Sequence, residues 1–176
     1  MSLQITNAFA DGYIRSFGEN PIYQGTFGVD HSVMLISLSQ ISETLCILLI
    51  PFFLKRFGIK KVMLISMFAW VLRFALLGAG NPGAGVWMFV LSMIVYGVAF
   101  DFFNISGSLF VEKEKDESIR SSAQGVFMIM TNGFGAFIGS YAAGAIVDTY
   151  AWPNSWYIFA AYSLVVAITF ALVFKY

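Results

Sequence analysis

Glu43, Arg73 and Asp101 stand inside long apolar stretches of this 176-residue chain. An ionisable group at the centre of a bilayer costs roughly 2.5–3.5 kcal/mol on insertion scales, so such residues face a protein interior or a watery cavity. Glu43 lies about 11 residues into its stretch, or ~17 Å at the helical rise, which is close to a midplane. Gln40 sits one turn earlier on the same helical face. Tyr96, Phe100 and Asn104 form a four-residue stripe beside Asp101, and Gln4 and Asn7 repeat a three-residue spacing near the start of the chain. Three segments therefore each present polar groups at membrane depth, the pattern of a shared hydrophilic cavity. Polar side chains can also join helices without binding anything. That reading competes most for Gln4, Asn7 and Asn104, and least for the two carboxylates, which make poor glue without a partner. Arg73 reads as a structural counter-ion or a snorkelling cation. Packing accounts for Tyr96 and Phe100 taken alone.

The segments that must position these groups follow from composition. Apolar residues make up 59% and charged residues 11% of the chain, against about 45–50% and ~25% in soluble domains. Lipid must cover the excess. Five stretches reach the roughly 20 residues a spanning helix needs: 32–54, 60–80, 85–110, 121–147 and 153–175. Continuous apolar runs with scattered Gly argue against a barrel, whose strands alternate over about ten residues. The expected fold is all-α, a polytopic transmembrane helix bundle. The stretch 3–17 is helix-like and short, and no basic region or cleavage site marks it as a signal peptide. It is expected to be the outer end of a span that begins upstream, making the chain a fragment of five whole helices and a stub. Gly133, Gly135, Gly139 and Gly144 mark the fourth full span, where small residues permit close helix packing.

Charge gives orientation. Lys55, Arg56, Lys60, Lys61, Lys113, Lys115, Arg120 and Lys175 fall on one side if the helices alternate. The opposite loops, 18–31, 81–84 and 148–153, hold no Lys or Arg. Basic short loops mark the cytoplasmic side, so the C-terminus is expected there. Asn20-Pro21, Asn81-Pro82-Gly83 and Pro153-Asn154 are turn signals in the outer loops. His31 is expected to be a solvated loop residue. Cys46, the single cysteine, is expected to be a small buried apolar residue. A formal net charge of zero gives no footprint for nucleic acid. No metal-ligand spacing, nucleophile elbow or Ser/His arrangement is present, so no metal site, cofactor or enzymatic activity is expected.

Three motifs carry a resemblance. They are Ser39-Gln40-Ile41-Ser42-Glu43 with the following Pro51 to Lys61 segment, then Ala69-Trp70-Val71-Leu72-Arg73-Phe74, then Tyr96-Gly97-Val98-Ala99-Phe100-Asp101-Phe102-Phe103. With them the chain resembles the C-terminal half of a nucleoside:proton symporter of the major facilitator superfamily. The resemblance implies a single domain, 1–176, that supplies half of an inner-membrane carrier of bacteria. It implies a nucleoside and a proton as partners, besides the bilayer, and an N-terminal half or second chain to complete the cavity. Gln4, Asn7, Gln40, Glu43, Tyr96, Phe100 and Asp101 fall at substrate-site positions of such carriers. Amides suit nucleobase edges, carboxylates suit ribose hydroxyls, and aromatic faces suit stacked bases. Glu43 and Asp101 are the candidates for proton coupling, because a carboxyl group away from water is less costly neutral than charged. The alternative is a truncated or split membrane module that pairs with another chain and does not transport alone. An intramembrane enzyme using Glu43 and Asp101 as an acid–base pair is a third reading, which no further motif supports.

Overall fold

The fold was obtained as a computed structural model that describes residues 2–113 and 116–174, without the side chains of Asn7 and Ser118. Lys115 and Lys175 of the charge pattern lie outside the described residues. The described residues form helices and loops.

Helix α1 (Ser2–Ser16) buries Ile5, Ala10, Tyr13 and Ile14 along one stripe. A turn at Phe17–Glu19 and the short α2 (Phe27–Asp30) then lead into α3 (Ser32–Ala79). At 48 residues α3 would be about 72 Å long if straight, more than twice the hydrocarbon thickness. It is two spans. Gly58 adopts φ 77° and ψ 166° within the basic stretch Lys55 to Lys61. That region of backbone space is open essentially to glycine alone, so the sequence places its break where the chain must leave the membrane. Asn81 closes the next loop by accepting from the backbone N–H groups of Gly83 (3.1 Å) and Gly85 (3.0 Å). Helix α4 (Val86–Val111) follows. Then α5 (Glu117–Met128), a π-helical stretch at Ile129–Phe134 and α6 (Gly135–Tyr150) together make one long apolar helix. Helix α7 (Trp152–Val173) has Pro153 in its first turn, where a missing N–H is harmless. Counting the two limbs of α3 separately gives the five full spans expected, each within a few residues of its predicted place.

Aromatic packing holds together the helix ends remote from the Gly58 break. Tyr13 donates to the Leu77 carbonyl (2.9 Å) and its ring lies 5.3 Å from that of Trp156. Phe74 stacks on Trp156 at 6.0 Å, and Phe89 meets Tyr13 at the same separation. Helices α1, α3, α4 and α7 thus share one core. Helices α3 and α4 approach closely. A Cβ built on Gly97 would stand 2.6 Å from the Ser42 carbonyl oxygen. The Ser42 hydroxyl donates to the Ile94 carbonyl at the same crossing. In the fourth span Gly139 is buried, while a Cβ on Gly144 would meet nothing.

The outside is apolar. Leu48 is 74% exposed, Phe137 73% and Leu172 74%. Water would not tolerate so much exposed hydrocarbon on a soluble protein of this size. Cys46 is buried and unbridged, and His31 is exposed with its ring 5.0 Å from Phe27, as the sequence predicts for both.

Candidate functional site

A cavity of about 480 Å³ opens between α1, both limbs of α3, and α4. Helical phase explains its lining. Gln40 and Glu43 are one turn apart on the first limb of α3, and Tyr96 and Phe100 one turn apart on α4. Gln40 is exposed to the cavity, while Glu43 and Phe100 are half-buried and Tyr96 is buried. The rings of Tyr96 and Phe100 stack with centroids 5.9 Å apart and planes 9° from parallel. Tyr96 and Glu43 line the same space from facing helices. Leu3, Thr6 and Ala10 of α1 complete the near wall. The arrangement offers an amide, a carboxylate, a phenol and a pair of stacked rings around one space.

Arg73, on the second limb of α3, belongs to the wall of the same cavity. It is 2% exposed, its guanidinium carbon lies 4.6 Å from the centre of the Tyr96 ring, and it donates to the Ser92 carbonyl. Sequence reasoning singled Arg73 out and left it outside the site. Its distance along the chain from Glu43 and Tyr96 hides the contact. Ser39 is also in the lining, donating to the Met93 sulfur at 3.1 Å. It stood unremarked in the motif it shares with Gln40 and Glu43.

The remaining expected site residues fall elsewhere. Gln4 lines a neighbouring space of about 250 Å³, together with Asn104 and residues of the π-helical stretch. Leu3 and Phe100 border both spaces. The Asn104 amide donates to the Phe100 carbonyl at 3.0 Å, within its own helix. The side chain of Asn7 lies outside the described set. Asp101 is not in the lining of either space. One residue round α4 from Phe100, it is 6% exposed, and its Oδ2 has no hydrogen-bond partner.

The chain is similar to known proteins. Nucleoside permease NupG of Escherichia coli (strain K12) is 54% identical over 181 residues, covering 99% of this chain and 43% of the permease. Xanthosine permease of the same organism is 52% identical over 181 residues, with the same coverage. A crystal structure of the nucleoside transporter NupG superposes with a TM-score of 0.93 at 54% identity, over 99% of this chain and 45% of that one. The chain thus spans less than half the length of these relatives and aligns with their C-terminal part. It shares with them the helical fold of a major facilitator carrier. The family model described as nucleoside H+ symporter matches residues 1–176, and the chain belongs to that family.

Proposed function

We propose that residues 1–176 are the C-terminal transmembrane domain of a secondary transporter that moves nucleosides across the bacterial inner membrane by proton symport. The observation that carries this reading is the cavity in which Gln40, Glu43, Tyr96 and Phe100 converge. An amide offers donors and an acceptor to a nucleobase edge. A carboxylate accepts strongly from sugar hydroxyls. A parallel ring pair supplies a flat apolar face for a base. Gln4 adds a polar group to the neighbouring space from α1, and Asn7 is kept as a substrate residue on the family resemblance alone. Asp101, buried beside this site with an unpartnered oxygen, is the second carboxylate and a store for the coupled proton, since a desolvated carboxyl group is less costly neutral. Glu43 is the other.

The rest of the carrier forms the opposite wall. Major facilitator carriers place the site between two halves that rock about it. The partner on that side is an N-terminal half or a second chain. Lys55, Arg56, Lys60 and Lys61 flank the Gly58 break, and the preference of basic short loops for the cytoplasm supports that side for the break and for the C-terminus.

Cysteine protection tests the site. A cysteine in place of Gln40, in a full-length carrier with Cys46 replaced by Ser, is expected to react with a small thiol reagent and to be shielded by saturating uridine. A cysteine in place of Leu48, on the lipid-facing surface, is expected to show no shielding. Equal reactivity at position 40 with and without uridine would remove the cavity from the nucleoside path.

A further inference from the structure

Arg73 is a cation in the wrong place for a purely structural role. Long basic side chains in membranes either snorkel to the interface or pair with a carboxylate. Arg73 does neither. It is 2% exposed in the middle of the bundle core, between Trp70 and Phe74 in sequence. Among the described residues it forms no ion pair. Its partners are neutral: the Ser92 carbonyl, the Met93 sulfur at 3.7 Å, and the face of the Tyr96 ring at 4.6 Å. Its Nε has no partner at all.

The Tyr96 ring is the common element. A buried cation over an aromatic face is held by the ring quadrupole, and desolvation strengthens that attraction. The same ring is stacked on Phe100 and borders the cavity with Glu43. Arg73 and Glu43 both border that cavity, so opposite charges and a phenol face one space.

We propose that Arg73 is a positioning residue for the nucleoside site: it fixes the Tyr96 ring, and through the Tyr96 hydroxyl it fixes the Glu43 carboxylate that receives the ligand. The proposal rests on reading the cavity as the nucleoside site. It assigns Arg73 no contact with substrate and carries its effect on binding through Glu43 rather than through the stacked face of Tyr96.

A double-mutant cycle tests this in the purified full-length carrier, with uridine binding followed by calorimetry. Arg73→Met is expected to weaken binding about fivefold or more in the parent, and by less than about twofold when Glu43→Gln is already present. Equal losses in the two backgrounds, or no loss in the parent, would overturn the proposal. Should Arg73→Met yield no folded carrier, Arg73→Lys decides, because it keeps the charge and loses the planar stack. A raised KM for uridine uptake at unchanged maximal rate supports positioning. An unchanged KM with less folded protein makes Arg73 structural and overturns it. The reading beneath is separable. A strong loss on Glu43→Gln with additive Arg73→Met sinks only the Arg73 role, whereas no loss on Glu43→Gln sinks the nucleoside site and the Arg73 role together.

Discussion

Glu43 and Asp101 carry the same functional group in different surroundings, and the difference sets what each can do. Glu43 borders the cavity beside Tyr96, so it can exchange water for a ligand hydroxyl. Asp101 is almost fully covered and lines neither cavity. Removing a charged hydrogen bond costs roughly 1.5–3 kcal/mol, or about 10- to 150-fold in affinity. Glu43→Gln is therefore expected to weaken uridine binding by that range in calorimetry on a full-length carrier. Asp101→Asn is expected to cost less in binding and to show its effect in proton-driven uptake. Equal binding losses for the two variants would mean that Asp101 also reaches the ligand. Most of this was legible in sequence, because a charge in an apolar run signals its own cost. Arg73 shows the limit. Its charge was visible, but its place over Tyr96 depends on how the second limb of α3 crosses α4, and no spacing encodes a crossing.

The helices themselves were read well from length and apolarity, for a physical reason. A bilayer fixes how long an apolar run must be, and basic or Asn/Pro/Gly clusters end it. Packing partners were not readable in that way. The spacing of Gly135 and Gly139 pointed to a close-contact face on the fourth span, but nothing in the sequence pointed to Gly97, where a Cβ would stand 2.6 Å from the Ser42 carbonyl oxygen. A lone glycine gives no periodic signal. Gly97→Ala must push α4 from α3, since a backbone atom cannot rotate away. Overpacking of this kind costs about 1–3 kcal/mol. The variant is expected to lower the thermal midpoint of the detergent-solubilised carrier and to disturb the neighbouring Tyr96. Gly144→Ala, with open space at its Cβ, serves as the control. A midpoint for Gly97→Ala equal to that of Gly144→Ala would show that the two helices are not in tight contact.

At the scale of the whole molecule, the site is one wall of a space. The cavity at α1, α3 and α4 opens on a chain whose permease relatives are more than twice as long, since it covers 43% of them. Exposed apolar side chains on the π-helical stretch and α6, including Phe134, Phe137 and Tyr141, leave a broad surface for lipid or for the other half of a carrier. Under the proposed function, alternating access requires two bodies moving about one site, and this chain would supply one of them. The most direct test is uptake of labelled uridine into proteoliposomes under an inward proton gradient, with this chain alone, and with it co-reconstituted beside the N-terminal portion of the 54% identical NupG. No uptake above protein-free vesicles is expected from the chain alone. Gradient-dependent uptake is expected from the pair, and it should be lost when this chain carries Glu43→Gln. Uptake by the chain alone, or a stably associated pair whose uptake ignores Glu43→Gln, would contradict the account.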